Sequence, residues 1–468
     1  MSKKISPSCV FENDRVTFKS YIHEFTKELY DEFDSIAEKI GLQSKIDDLL
    51  TGKEVNYTEG LAAWHPKYRN DAMINANQNG AYDPFDTGTD YQKALDLLAM
   101  YDKVVGKNIV TIGIGGSFEG PKMLLEALEA SMDKDPLEIF GESNKYIFIT
   151  GSDLSEFRTK TKGLNPEDTA FLISSKSFTT QETITILKEA ISWSGDLDKF
   201  IAITANKAEA KKYNINNIIE FDKEIGGRYS IWSDISVLIK WTDSMAFGGF
   251  IEGGKQADQD LKNNKSYLKF IKYLAYSDIW LHNYKNKNSR AVLSYIWGWR
   301  SFPDYIQQLE MESLGKQPSN NSKFNKTGQI IFGGYGPTAQ HSYFQLLHQG
   351  TQNLCADIVA CKNDKKSLAY AQAITQSKLL SHGAKELKGK DKINGDIPIN
   401  LFLTNITNWS QSKNTPKGPS VLNELGYLIA TWEHRTYITA AMLGINPFDQ
   451  FGVNAGKIYT KKYLDKGN

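Results

Sequence analysis

Cysteine is scarce in this chain of 468 residues: Cys9, Cys355 and Cys361 are an odd number, at spacings that fit neither a disulfide framework nor a zinc site. That excludes a disulfide-stapled fold and favours a reducing compartment, so a cytoplasmic location is expected. Long apolar runs are missing as well. No uninterrupted stretch of about 18 apolar residues occurs, and the charged start M-S-K-K-I-S-P-S leads into none, which argues against a membrane span and a secretory leader. Nor is there an excess of either charge: 55 Lys+Arg balance 55 Asp+Glu, so the overall charge asks for neither nucleic acid nor an anionic membrane. An anionic ligand has to be held by local groups. What the chain has in quantity is apolar (40%) and aromatic (12%) residues, ample for a large core and too much chain for one ordinary domain.

The pattern along the chain divides into five parts. Residues 1–100 read as helical, with Phe18, Tyr21, Ile22, Phe25, Leu29, Phe33 and Ile36 close to a helical period. His65, in a turn-rich aromatic loop before Pro66, reads as a surface residue. Residues 101–240 alternate short β-branched runs with helical segments, the mark of an α/β unit. Residues 241–285 read as a helical bridge, broken by glycines at 248, 249, 253 and 254. Residues 286–443 repeat the α/β alternation, and residues 444–468 form a C-terminal segment. The expected fold is therefore α/β, with two doubly wound parallel-sheet subdomains and helical additions at both ends.

Chemistry-bearing stretches sit where such folds bind ligands. The run Ile109-Val-Thr-Ile112 ends in Gly113-Ile-Gly-Gly-Ser117 before a helix, which exposes backbone N–H groups at that helix's positive end, where phosphate binds. The dinucleotide fingerprint is incomplete, because its third glycine falls at Phe118. A second strand feeds Ser175-Lys-Ser-Phe-Thr-Thr180, whose four hydroxyls and one lysine suit a phosphate monoester; ordinary helix caps account for one or two of them. Gly226-Gly-Arg228 offers a permanently charged planar fork on a flexible turn, for an oxyanion or for a structural ion pair. Tyr305 to Lys316 reads as a short helix closed by a left-handed Gly315, with Gln308 and Glu312 on one face. Glu312 is then either a partly desolvated general base, turned to the apolar side set by Tyr305 and Leu309, or an ordinary solvated or ion-paired glutamate. His341 and His348 lie seven apart on an expected helix Thr338 to Gln349, which is not the spacing of a helical metal pair, so no metal is assigned.

In order, the segments I-G-I-G-G-S, S-S-K-S-F-T-T-Q-E-T, G-G-R-Y-S-I-W-S, Q-L-E-M-E-S-L-G-K, A-Q-H-S-Y-F-Q-L-L-H-Q-G and F-D-Q-F-G-V-N-A-G-K strongly resemble the glucose-6-phosphate isomerase family from about residue 108 to 457. The resemblance implies a metal-free, cofactor-free aldose–ketose isomerisation of hexose phosphates in glycolysis and gluconeogenesis, on two sugar-isomerase subdomains. It implies phosphate binding by Ser175, Ser177 and Thr180 with Lys176 nearby, further substrate contacts from Gly116, Ser117, Gln308 and Gln450, and Glu312 as the base between C2 and C1. It further implies Arg228 at the enediolate, His341 and Lys457 in ring opening, and a homodimer in which His341 reaches the neighbouring subunit's site. Departures from the family pattern fall at Ser177, Phe118, Asp234, Leu314, Gly336-Pro337-Thr338, Phe451, Asn454 and Ala455, and all spare the proposed catalytic side chains. Two rivals stand beside this reading: a noncatalytic sugar-phosphate sensor, which should lack the base, and a dinucleotide-dependent oxidoreductase suggested by the glycine turn alone.

Overall fold

The computed structural model describes residues 6–71, 91–131, 146–405 and 421–465. Its architecture is α/β, around two mostly parallel sheets. In the first, β3 (Asn108–Ile112), β4 (Tyr146–Ile149), β5 (Thr169–Ser174), β6 (Phe200–Thr204) and β7 (Asn217–Glu220) are all parallel, in the order β4-β3-β5-β6-β7. Thr169–Ser174 and Phe200–Thr204 are buried along their whole length, as strands covered on both faces must be, which is why they read as continuous apolar runs. The strand order reverses between β3 and β5. Their C-terminal ends open there into a crevice, the place where doubly wound sheets bind ligands.

The second sheet repeats the topology. Here β8 (Ser289–Ser294), β9 (Ile330–Tyr335), β10 (Leu354–Cys361) and β11 (Ile399–Thr404) run parallel in the order β9-β8-β10-β11. An antiparallel hairpin, β1 (Cys9–Glu12) and β2 (Val16–Ser20), extends it past β11, with Phe18 opposite Phe402. That hairpin corrects the helical reading of Phe18 to Ile40. The helix α1 begins only at Lys27 and ends at Lys39, and Phe18 is a fully buried strand residue. A pairing with a strand some 380 residues away overrides the local period.

Between the sheets lie the long helices α2 (Ser244–Asn263), α3 (Lys265–Asn283) and α5 (Val421–Leu443), with α4 (Phe302–Leu314) beside them. The glycines expected to break residues 241–285 do not: α2 is continuous through all four. Gly253 lets it approach α5, since a Cβ there would lie 1.9 Å from the carbonyl oxygen of Asn423. The strand β9 also runs through Gly333 and Gly334, and a Cβ at Gly333 would lie 1.8 Å from the carbonyl oxygen of Val292. The three cysteines are free thiols, and no described helix is long and apolar enough to cross a membrane.

Candidate active site

Three loops meet at the crevice of the first sheet. Beyond β3 the chain tightens into Gly115–Ser117, and Gly116 packs directly on the next loop: a Cβ there would lie 1.9 Å from the carbonyl oxygen of Gly227. Beyond β5 comes Ser175 to Thr180. Its shape is fixed by Phe178, which is buried with the left-handed φ of 54° and donates its N–H to Ser175 Oγ at 3.2 Å. Such a conformation is costly for a bulky residue, and here the buried ring holds it in place. Ser175 Oγ lies 3.3 Å from Thr180 Oγ1, and Thr179 Oγ1 donates to Ser177 Oγ at 2.8 Å. Thr180 occupies the capping position of the helix Gln181–Ser194, yet its hydroxyl caps no N–H of that helix. Capping therefore leaves this hydroxyl over for a ligand. Burial pulls the Lys176 ammonium below the ordinary lysine range; Glu59 and Asp222 oppose this, and Arg228 reinforces it.

The third loop carries Arg228, in the short 3-10 helix Gly227–Trp232, with 1% of its surface exposed. Its Nε donates to Ser313 Oγ at 2.8 Å, and its Nη2 to the carbonyls of Pro447 at 2.5 Å and Asp449 at 2.9 Å. Its Nη1 donates to Gln450 Oε1 at 2.8 Å and lies 3.3 Å from Glu312 Oε2. Its four hydrogen bonds thus all go to neutral acceptors, and the carboxylate it is ion-paired with belongs to Glu312. Tyr229 OH lies 3.0 Å from Ser313 Oγ, and Tyr305 OH donates to the Arg228 carbonyl at 3.0 Å, so α4 and this loop are stitched together.

Gln308 and Glu312 do share a face of α4: Gln308 Nε2 donates to Glu312 Oε2 at 3.2 Å, while the buried Gln308 Oε1 has no hydrogen-bond partner among the described residues. The expected apolar setting of Glu312 is corrected. Its side chain, 28% exposed, stands among an amide, a guanidinium and the cleft. The helix also begins earlier than read from the sequence, at Phe302, and Gly315 closes it with a φ of −75° rather than a left-handed one. A cleft of about 650 Å³ lies against Glu312, Lys316, Asp449, Gln450 and Phe451.

Arg228, Glu312, Gln308 and Gln450 are therefore brought together. Lys457 is not among them, and His341, expected to reach the neighbouring subunit's site, stands apart from them in its own chain. Lys457 lies on the fully exposed helix α6 (Asn454–Asp465) and makes no hydrogen bond or ion pair among the described residues. His341 is exposed in a turn between two short helices, Gly336–Ala339 and Phe344–Gln349. The single helix expected over Thr338 to Gln349 is broken there, so His341 and His348 do not share a face. His348 is half-buried against Gln376 Oε1 at 2.9 Å, its pKa lowered by that burial. Among the departures, Asp234 is buried and paired with Lys240 at 2.7 Å, and Phe118 packs edge-on against Phe148. Sequence reading missed Ser313, Tyr229, Lys316 and Asp449 as neighbours of the site. Two of them lie in E-S-L-G-K beside Glu312, and adjacency to the base was the available signal.

Chemically, a carboxylate 3.3 Å from a buried guanidinium, beside a hydroxyl loop at a sheet crevice, suits proton removal next to a carbonyl on an anionic substrate. The family model described as phosphoglucose isomerase matches residues 20–467. The chain is 33% identical to the glucose-6-phosphate isomerase of Neurospora crassa, covering 94% of this chain and 82% of that one. It is 32% identical to that of Wigglesworthia glossinidia brevipalpis, covering 98% and 90%. A crystal structure of a glucose-6-phosphate isomerase from Chlamydia trachomatis superposes with a TM-score of 0.80 at 22% identity, over 97% of this chain and 89% of that one.

Proposed function

The chain belongs to the phosphoglucose isomerase family and interconverts glucose 6-phosphate and fructose 6-phosphate, and from that premise we propose how its residues divide the work. The phosphate sits on the hydroxyls of Ser175, Ser177 and Thr180, with Lys176 nearby and the positive end of the helix Gln181–Ser194 beneath it. Gly116 and Ser117 line the same crevice, and Gln308 and Gln450 hold the sugar hydroxyls.

Glu312 takes the C2 proton of the open-chain aldose. The C2–H electron pair becomes the C1–C2 double bond, and the carbonyl pair moves onto O1. A proton passes from O2 to O1, the enediolate pair returns to C1 with the proton that Glu312 carried, and C2 becomes the carbonyl. When Glu312 is protonated its charge is gone, and the negative charge now resides on the enediolate. Arg228, 3.3 Å from Glu312, meets one anion before the transfer and another after it. A fixed cation that needs no reorganisation in this exchange is what lowers the barrier. That short approach is the observation carrying the reading.

His341, exposed on its turn, is presented to a second copy of the chain, and with Lys457 opens the sugar ring by acid/base transfer. The enzyme works as a homodimer in the cytoplasm, in glycolysis and gluconeogenesis, without metal or cofactor. A coupled assay in chelator-treated buffer, with glucose 6-phosphate and mannose 6-phosphate side by side, tests this. Conversion of glucose 6-phosphate without added metal is expected, and a metal requirement would contradict it.

A further inference from the structure

The segment 446–450 joins α5 to the C-terminal turn without a helix or strand of its own, so side-chain bonds set its shape. Two cations hold it. Arg228 takes the carbonyls of Pro447 and Asp449 and the amide of Gln450. Lys316, at the end of the helix that carries Glu312, takes the carbonyl of Asn446 and faces Asp449 Oδ1 at 3.3 Å, while also donating to the Ser313 carbonyl at 3.0 Å. The far side is tied down too: Thr58 Oγ1 donates to Asp449 Oδ2 at 2.7 Å, and Asn446 Nδ2 donates to Asn56 Oδ1 at 2.8 Å. Lys316 and Asp449 are nearly enclosed, with 18% and 8% of their side chains exposed.

We propose that Lys316 and Asp449 are positioning residues, an ion-paired clasp that fixes Gln450 and the Arg228 fork relative to Glu312. The inference rests on the assignment of Arg228, Gln450 and Glu312 to the reaction. Its logic is geometric: Lys316 and Glu312 lie four residues apart on one chain segment, and the clasp sets the distance from that segment to the loop that Arg228 grips. Displacements of about 1 Å in such constellations cost about 100-fold in rate. The clasp also needs a charge. The ionised groups facing Lys316 are Asp449 on the loop, Glu312 on its own helix and Arg228 opposite. Burial and Arg228 push the ammonium down to about 8, against the pull of Asp449 and Glu312. It is therefore whole below that pH and lost above it.

The test is the pH profile of kcat/KM for the parent, Lys316→Arg, Lys316→Met, Asp449→Asn and Arg228→Lys, with thermal unfolding of each. The parent should lose activity above about pH 8. Lys316→Met should fall about 10- to 100-fold, mainly in kcat, with a flat alkaline limb. Lys316→Arg should restore activity to within about 3-fold and carry the limb upward by more than one unit, because a guanidinium keeps its proton there. Asp449→Asn should move the limb to lower pH, since it removes the carboxylate that holds the proton on Lys316. A limb unmoved in both Lys316→Arg and Asp449→Asn, or Lys316→Met within about 2-fold of the parent, would overturn the clasp. The two levels separate through Arg228→Lys. Full activity there refutes the site assignment itself, whereas a loss of about 100-fold there beside a fully active Lys316→Met refutes the clasp alone.

Discussion

Glu310 and Glu312 stand two residues apart on α4 and face opposite ways, each toward a buried arginine. Glu310 looks inward. It contacts Arg290 and accepts from Trp432 Nε1 at 2.8 Å, in a cluster where Arg290 lies 2.7 Å from Asp278 and Arg435 lies 2.6 Å from Asp278 and 2.8 Å from Asp357. Two arginines meet three carboxyl groups in the dry interior, and burial raises the pKa of Glu310 against the pull of Arg290 and Arg435. Glu312 looks outward, paired with one arginine whose other acceptors are neutral. The inner cluster has no room for a reacting molecule and no charge to spare, and the outer one keeps a partly exposed carboxylate and an open cleft. The same pair of residue types thus serves the fold in one place and the chemistry in the other, and the difference lies in whether the arginine's charge is already matched in the dry interior.

The contrast can be broken by substitutions on either side. Glu312→Gln should cost about 1,000-fold or more in kcat, with thermal unfolding close to that of the parent and phosphosugar binding retained, because it removes the base and keeps the shape. Arg290→Met should cost about 3–5 kcal/mol of stability in urea unfolding, since it leaves buried carboxylates unpaired, while the folded fraction keeps its kcat. His65, read from the sequence as a surface residue, is instead buried behind the outer cluster, stacked on Tyr229, and burial holds its pKa well below the ordinary histidine range, with Arg69 acting in the same sense. The unfolded imidazole takes up a proton near pH 6.5 and the folded one does not, so stability falls as pH drops below that value, by up to about 1.4 kcal/mol per pH unit. His65→Phe should make that acid limb of stability shallower, and an unchanged limb would show that His65 titrates in the fold. The smallest effect is expected from Glu310→Gln: stability within about 1 kcal/mol and kcat within about 3-fold, because the amide keeps the shape and an acceptor for Trp432 Nε1 and removes one of three carboxyl groups that share two arginines. Set against Glu312→Gln, that is the same chemical change two positions away with an opposite outcome.

Much of this was legible in the residues. The interior strands announce themselves because strands covered on both faces carry a continuous apolar run, as Ala170 to Ile173 does within the buried Thr169–Ser174. Arg228, Glu312 and Gln450 came from motifs, and their meeting at 2.8 to 3.3 Å joins positions 84 and 222 residues apart along the chain. No period in a sequence encodes such a meeting. The hairpin at Phe18 was hidden because its apolar spacing also fits a helix, and only a distant partner decides between the two. The polar setting of Glu312 was hidden for a similar reason: Tyr305 and Leu309 are buried in the core as expected, but the helix turns Glu312 away from them, toward Gln308 and the cleft.

The central claim, that Glu312 moves a carbon-bound proton under the charge of Arg228, is tested most directly by solvent exchange. Glucose 6-phosphate incubated with the protein in D2O and followed by proton NMR should acquire deuterium at C2, and the fructose 6-phosphate formed should carry it at C1. Glu312→Gln, folded to the same extent, should exchange neither position. Exchange by Glu312→Gln at the parent's rate would contradict the account.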